Sequence, residues 1–508
     1  MLKLEKLNES YYEISGDPDI LNRIFNFLKV RREGAEFDPL VKRGFRSPFD
    51  FFCKKTKTSI LVMSGHLPLL KSSEFQQHLN IPESPEAVEP PGLDDYITNL
   101  ESKLGFKPYD FQIKMFKDCI RKQKLICKAA TGSGKSLTIS MICDWFRIHG
   151  LKGVLLVPNI NLLTQFKSDI KSYHLGDLYD ATETLGGGTT ATFDRPLLIS
   201  TWQSLSQHKE FKFDYIICDE LHRFASPETS AIIEAAKQTK IRLGFTGTLP
   251  DNPSARMTLL GLFGLPKTYI RASELIARGL GTPVQIKAII LDSGSKKAEL
   301  RKIRNFPAIL KYIKEDSKRN SIIENLAVKL KVKNENTLVL FSHTEHGKTI
   351  FKDIMKILYP DIEVENKDIT GKKSFEFQTK YNVFFINGED DSKTREQTRK
   401  ILEDCSGAIL VSNYQLLSTG VNIKKLHNMV LASPLKSYTT ITQSIGRGMR
   451  LHPSKKVFTV YDFIDNLGVR KYSGVFYKQY LHRKQTSYDP EGYPITEMFL
   501  NYNSDLED

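Results

Sequence analysis

Residues 124–136 read KLICKAATGSGKS, and the rest of the chain is best read outward from them. A short apolar run, Leu125-Ile126-Cys127, enters the segment from Ala129 to Ser136, and residues 137–146 continue with helical spacing. Strand, glycine-bearing turn and helix form the context in which a phosphate-binding loop works. Gly132 and Gly134 let the backbone turn tightly and aim its N–H groups inward, with Thr131 and Ser133 completing the loop. The following helix adds the positive end of its dipole. Lys135 would reach the β- and γ-phosphates of a nucleotide, and the Ser136 hydroxyl would hold Mg²⁺. The strict G-x-x-x-x-G-K-[ST] spacing has glycine where this chain has Ala129.

A phosphate loop by itself says only that a nucleotide binds; partner residues decide the chemistry done on it. Asp219-Glu220-Leu221-His222 directly follows the apolar run 215–218, and strand ends in parallel sheets open into the ligand crevice. Asp219 is placed to hold Mg²⁺, and Glu220 to orient or deprotonate an attacking water. Thr246-Gly247-Thr248 ends the next strand, where its hydroxyls could relay nucleotide state. Upstream, Tyr109 could stack on adenine and Gln112 could read its edge, or the same residues could simply start an amphipathic helix. Residues 443–450, QSIGRGMR, place Arg447 and Arg450 three apart, so on a helix they share one face. A planar guanidinium matches the oxygens of a γ-phosphate gaining charge in a transition state. These arginines belong to a second α/β unit, so they would complete a site only when two units close, coupling hydrolysis to domain motion.

The fold class is α/β. Strands are expected at 125–127, 153–157, 197–200, 215–218 and 242–245, then at 337–341, 383–386, 408–411, 429–432 and 457–461. Their near-continuous apolar character fits parallel sheets covered on both faces. Residues 295–335 read as helices, and the Lys-rich segment 366–380 as a surface insertion. The expected domains are a small basic α+β domain at 1–80, an acidic Pro-rich linker at 81–104, a nucleotide-binding unit at 105–282 and a second unit at 283–508. Residues 81–95, IPESPEAVEPPGLDD, carry four prolines and no basic residue, the composition of a semi-extended linker.

The chain has 508 residues, too many for one core, and a formal net charge of +14, which favours a polyanionic partner. No apolar run approaches the roughly 20 residues needed to span a bilayer, and the start, MLKLEKLNESYYEISGD, lacks the apolar region of a secretory signal. Six scattered cysteines without a C-x-x-C pair read as buried thiols, neither a disulfide frame nor a zinc site. The expectation is a soluble, cytoplasmic, multidomain protein with no membrane partner. In the first domain, Arg43 and Arg46 lie around Phe45, and Lys54, Lys55 and Lys57 follow Phe49, Phe51 and Phe52. Basic side chains interleaved with aromatics suit a phosphate backbone with exposed bases, although any single Phe is more often a core residue. Near the C-terminus, Tyr472, Phe476, Tyr477, Tyr480, His482, Arg483, Lys484 and Tyr488 form another such run, which fits DNA contact or an amphipathic helix docked on the core.

Taken in order, ATGSGKS (130–136), DELH (219–222), TGT (246–248), STG (418–420) and QSIGRGMR (443–450) resemble motifs I, II, III, V and VI of superfamily 2 helicases of the DExH type. An alanine at position 129 is common in such motors. Residues 157–166, 200–203 and 340–343 resemble motifs Ia, Ib and IV, so the likeness covers roughly 105–465. The basic first domain, GGG at 186–188, STWQSL, FSHTEHGK and INGEDDSKTRE are similar to phage recombination helicases. The resemblance implies two tandem RecA-like domains, ATP with Mg²⁺, and DNA-dependent ATP hydrolysis. It further implies 3′ to 5′ translocation, with unwinding, branch migration and annealing at forks and junctions in recombination, repair and replication. It places Gln443 with the arginines, Gly420 at the nucleotide, and Thr201, Trp202, Ser342, His343 and Thr419 along the DNA backbone. Its partners would be branched or single-stranded DNA and recombination or single-strand-binding proteins, around a monomeric motor. Three alternatives stay open: an RNA-directed DExH helicase, the DNA translocase of a restriction system, and a nucleic-acid-binding protein with a degenerate ATPase core. Intact Lys135, Asp219, Glu220, Arg447 and Arg450 argue against the last.

Overall fold

The structure is a computed structural model describing residues 2–81, 90–208, 212–292, 305–370, 374–414, 423–434, 438–467 and 473–501. By internal contacts the chain divides into Met1–Ile270 and Arg271–Asp508, whereas the sequence pattern places the boundary after residue 282.

The first unit begins with six short strands: β1 (Lys3–Lys6), β2 (Tyr11–Ser15), β3 (Lys29–Arg31), β4 (Phe49–Phe51), β5 (Cys53–Lys55) and β6 (Ser59–Met63). Four of them form an antiparallel sheet in the order β1-β2-β6-β5, while β3 and β4 make a separate ribbon. The helix Pro18–Phe27 starts under an Asp17 cap and buries Leu21 and Ile24 against Ile14, Ile60 and Val62. This is the expected small α+β domain.

Seven parallel strands follow: β7 (Lys124–Ala129), β8 (Gly153–Val157), β9 (Thr182–Leu185), β10 (Leu197–Thr201), β11 (Tyr215–Cys218), β12 (Ile241–Thr246) and β13 (Pro266–Ile270). Their spatial order is β13-β7-β12-β11-β8-β10-β9. The small domain is docked on this sheet through buried polar groups. The Lys124 ammonium, at the start of β7, donates to the Glu9 carbonyl and the Ser64 hydroxyl. Arg242, on β12, is fully buried and donates to Ser10 Oγ at 2.7 Å and to the Ala236 carbonyl at 2.8 Å. His66 Nε2 lies 2.9 Å from the Met257 carbonyl. Gly65 allows the closest approach: a Cβ there would fall 2.1 Å from the Leu260 oxygen and 2.5 Å from that of Gly261. Backbone atoms cannot swing aside as a side-chain end can. Gly65→Ala is therefore expected to cost about 3 kcal/mol by overpacking, read as a lowered urea midpoint; a midpoint equal to wild type would show that the seam is loose.

The second unit holds another seven parallel strands: β14 (Val284–Asp292), β15 (Thr337–Phe341), β16 (Val383–Ile386), β17 (Ile409–Asn413), β18 (Asn428–Leu431), β19 (Phe458–Asn466) and β20 (Ile495–Asn501). They are ordered β16-β17-β15-β18-β19-β14-β20. Its core gathers Val339, Phe341, Ile350, Phe351, Val383 and Phe385, with Phe341 and Phe385 stacked at 5.4 Å. Two tandem RecA-like sheets behind a small antiparallel domain thus match the expected class.

Three sequence expectations change. The linker does not run to 104: Leu93–Leu104 is a helix with Leu93, Ile97, Leu100 and Leu104 buried, while residues 82–89 lie outside the described residues. The segment 366–380 is not a mere surface insertion, because Ile369 is buried and the Gln378 amide joins the Ile369 carbonyl (2.8 Å) to Phe385 N (2.9 Å) on β16. The C-terminal run is docked. Phe476 stacks on Phe306, and Tyr480 and Tyr488 are buried. Arg483 is buried on Asp462, which accepts from its Nη2 at 2.9 Å and from the Tyr488 hydroxyl at 2.8 Å. An ionic head held this way is a core strut, so Arg483 is removed as a DNA contact; Tyr472 lies outside the described residues.

Candidate functional site

The carboxyl ends of β7, β11 and β12 meet at the phosphate loop. Gly132 (φ 85°) and Gly134 (φ 75°) take the left-handed conformation that reverses the chain between β7 and the helix Lys135–Ile148. Lys135 Nζ lies 3.1 Å from the Ala129 carbonyl and 3.3 Å from that of Ala130, folded over the loop it follows. Gln112 braces the loop from behind. It is buried, its Oε1 accepts from Tyr109 N at 2.9 Å, and its Nε2 donates to the Ser133 carbonyl at 2.9 Å. Both ends of the amide are therefore engaged by the chain's own backbone, which makes Gln112 an anchor of the loop in this structure. A Cβ at Gly134 would lie 2.4 Å from Gln112 Nε2, so the second glycine is needed for that brace. Tyr109 is 47% exposed, its ring stacked 5.5 Å from Phe111.

Asp219 and Glu220 follow β11. Asp219 is half-buried, with its Oδ1 shut off from solvent and without a hydrogen-bond partner, and desolvation, reinforced by Glu220 and opposed by Lys135, raises its pKa. A buried, orphaned carboxylate oxygen is relieved by a cation. Among the described residues no group of three or more His, Cys, Asp or Glu side chains is arranged to hold a metal ion. One carboxylate and one hydroxyl, Asp219 and Ser136, still fit Mg²⁺, which usually keeps several waters and takes substrate phosphates as its other ligands. The Ser136 hydroxyl shares a 2.9 Å hydrogen bond with Tyr173, a residue that sequence reasoning missed.

Glu220 adopts φ 49° and ψ 51°, a left-handed conformation that a non-glycine residue holds at a cost of about 1–2 kcal/mol. Its Oε2 lies 3.5 Å from His222 Nδ1, which in turn lies 3.2 Å from Thr246 Oγ1. Thr246 donates its single hydroxyl proton to the Thr248 carbonyl at 2.6 Å, so His222 must donate from Nδ1. Burial lowers His222 to about 4, against the opposing pull of Glu220, so the ring is neutral near pH 7. The DELH and TGT segments are thereby joined, a contact that no spacing in the sequence predicts. Thr131 belongs to the same junction: a Cβ at Gly247 would lie 3.3 Å from its hydroxyl.

The other candidates are distributed along the two sheets. Thr201 is buried at the end of β10, its hydroxyl 3.0 Å from Ser204 Oγ, and Trp202 packs against the core. Beside them runs the glycine turn 186–188, whose three residues all have positive φ. A Cβ at Gly186 would touch Leu163, Ser204 and Thr201 at 3.4–3.6 Å, which draws motifs Ia and Ib together. In the second unit, exposed Ser342 and His343 follow β15, and Ser342 N donates to Ser433 Oγ at 3.1 Å. Gln443 is buried in the helix Tyr438–Gly448 and Arg447 is half-buried near its end. Arg450 lies beyond that end, so the two arginines do not share a helical face as expected. From the last helical residue onward the carbonyls are taken by other segments: Gly448 O by Lys455 Nζ (2.6 Å), Met449 O by Thr282 N (2.6 Å) and Arg450 O by Thr282 Oγ1 (3.1 Å). Arg43, Arg46, Lys54 and Lys55 are exposed. Thr419 and Gly420 lie outside the described residues.

Residues 105–251 match the family described as "Type III restriction enzyme, res subunit". The chain is 30% identical over 402 residues to the ATP-dependent DNA helicase UvsW of Enterobacteria phage T4, covering 77% of this chain and 75% of that protein. Among solved structures, a fragment of a type I restriction HsdR subunit from Vibrio vulnificus YJ016 shares the fold, with a TM-score of 0.56, 20% identity and coverage of 81% of this chain and 73% of that one. Mss116p bound to ssRNA and AMP-PNP shares it at a TM-score of 0.53 and 16% identity, over 84% and 81% of the two chains. The matched motifs, the two parallel sheets and the extended identity lead to one conclusion: the chain belongs to the superfamily 2 helicases, in the group of phage UvsW.

Proposed function

We propose that the protein is an ATP-dependent DNA helicase or translocase acting on branched DNA, at forks and junctions, in recombination, repair and replication. The observation that carries this reading is the meeting of the phosphate loop with Asp219 and the Glu220–His222–Thr246 chain at one end of a parallel sheet, in a relative of a DNA helicase. Lys135 would bind the β- and γ-phosphates of ATP, Ser136 and Asp219 would hold Mg²⁺, and Glu220 would orient and deprotonate the attacking water. Thr131, Gly132, Ser133 and Gly134 offer the loop amides, Tyr109 stacks on the base, and Gln112 keeps the loop in shape. Gln443, Arg447 and Arg450 of the second unit supply hydrogen bonds and positive charge for the transferred phosphoryl group. Ser342, His343, Thr201 and Trp202 mark the DNA track, and Arg43, Arg46, Lys54 and Lys55 give the first domain its own DNA contact. No helix among the described residues is long and apolar enough to cross a membrane.

The second reading, the translocase of a restriction system, is favoured by the family matched over residues 105–251. Phosphate release in the presence of single-stranded DNA, a four-way junction, linear duplex or RNA separates them. Stimulation by the junction well above linear duplex is expected. Stimulation by duplex alone favours the restriction motor, RNA alone an RNA helicase, and equal rates with and without nucleic acid would sink the helicase reading.

A further inference from the structure

Residues 32–48 leave the β3–β4 ribbon as a loop closed on itself. Arg32 N donates to the Pro48 carbonyl at 2.8 Å and the Arg32 guanidinium donates to the Ser47 carbonyl. Inside the loop, Asp38 Oδ1 accepts from Leu40 N at 2.9 Å, and the Leu40 carbonyl accepts from Phe45 N at 2.9 Å and Arg46 N at 3.3 Å. Gly34 and Gly44 take positive φ, as such tight reversals require. Glu33 meets Asn252, the cap of the helix Pro253–Phe263, at 3.4 Å, so the loop is tied to the first parallel-sheet domain as well.

This ordered loop holds its largest apolar groups in water. Phe45 is 80% exposed and Phe37 74%. Burying a phenylalanine yields about 1.5–3 kcal/mol, so a fold that fixes the backbone here while leaving both rings out gains nothing from them for stability. Single exposed apolar residues are ordinary; two such rings on one hydrogen-bonded loop are not explained by packing. Their surroundings indicate what they face. The acids of the loop, Glu33, Glu36 and Asp38, all precede the run 39–47, PLVKRGFRS, which contains three cations; Lys42, Arg43 and Arg46 around Phe45 are all exposed, with Arg46 Nη1 3.7 Å from Asp38 Oδ2. A flat ring between guanidinium groups is complementary to a nucleobase face with a phosphate on either side. In continuous duplex the base faces are covered by their neighbours, so a free face exists where strands part.

We propose that Phe45 stacks on the base left unpaired at a DNA branch point, with Arg43 and Arg46 on the flanking phosphates and Phe37 as a second ring on the same loop. This rests on the DNA reading above and adds a structure-specific contact to it.

The test uses the full chain and a three-way junction carrying 2-aminopurine at the branch, against the same strands as linear duplex. Phe45→Ala is expected to weaken junction binding about tenfold and to abolish the protein-induced change in 2-aminopurine fluorescence, with duplex binding altered less than about twofold. Phe45→Trp should restore both signals. Because the side chain is exposed, the thermal melt of Phe45→Ala should match wild type, so a lost signal cannot be assigned to unfolding. Wild-type junction affinity and fluorescence in Phe45→Ala, and again in the Phe37→Ala/Phe45→Ala double variant, would overturn the proposal and assign the rings to a protein-facing surface. Equal losses on junction and duplex would overturn it too. Wild type that binds neither DNA would instead bring down the DNA reading itself.

Discussion

Glu220→Gln is expected to lower ATP turnover by about 10²–10⁴-fold while nucleotide binding persists. The substitution keeps the size of the side chain and the left-handed backbone at 220, so Lys135 and Asp219 stay where they are. What it removes is the capacity to take a proton. His222 is engaged otherwise: burial keeps its ring neutral near pH 7, and its Nδ1 proton is directed at Thr246. A Gln amide can still meet that N–H through its carbonyl oxygen, so the His222–Thr246 link survives and the loss isolates the chemical step. Single-turnover phosphate release beside the affinity for a fluorescent ATP analogue checks this. Turnover within a few-fold of wild type would mean that the water is activated elsewhere.

Asp465→Ala is expected to destabilise the second unit by about 3–5 kcal/mol. Asp465, near the end of β19, and Arg319, in the helix Ser317–Val332, both have no exposed side-chain surface. Arg319 Nε and Nη2 donate to the two carboxylate oxygens at 2.7 and 3.1 Å, and Nη1 donates to the Ala432 carbonyl at 2.8 Å. Removing the carboxylate strands a guanidinium in the core, which costs far more than the net value of the intact pair. The double substitution Arg319→Met/Asp465→Leu should therefore recover most of the loss. The damage should also reach the proposed DNA track, because Ala432 precedes Ser433, whose hydroxyl accepts from Ser342 N. Urea denaturation of the single and double variants is the measurement; an Asp465→Ala midpoint unchanged from wild type would contradict the buried-pair account.

The legible parts of the sequence are those where one physical demand dominates a short stretch. Strands β8, β11, β15 and β16 are uninterrupted apolar runs buried on both faces, and their limits fall where hydropathy places them. The strands that hydropathy does not reveal include three at sheet edges: Thr182–Leu185, Pro266–Ile270 and Ile495–Asn501, whose composition is half polar or begins with proline. Val284–Asp292 escapes as well, its apolar run broken by Gln285 and Lys287. In the site, adjacency along the chain is readable: Lys135 beside Ser136, Asp219 beside Glu220. Contacts made across strands are not. His222 and Thr246 meet because β11 pairs with β12, and Tyr173 reaches Ser136 from the end of another helix. The C-terminal aromatics are ambiguous in sequence for a related reason. A basic-aromatic composition serves a nucleic-acid surface and a docked helix equally, and Asp462, which decides for Arg483, lies on a distant strand.

The docking of the small domain bears on how such a protein can be inherited. A chain cut before residue 90 would lose the Glu9 carbonyl and the hydroxyls of Ser10 and Ser64. Lys124 and Arg242 would then face solvent or an apolar wall at the root of the strands that carry the phosphate loop and the TGT turn. Burial, reinforced by the nearby Arg242, lowers Lys124 to about 7 in the docked state. The appendage is thus no detachable module. Exchanging it alone would leave Lys124 without its Glu9 and Ser64 acceptors and Arg242 with only the Ala236 and Thr239 carbonyls.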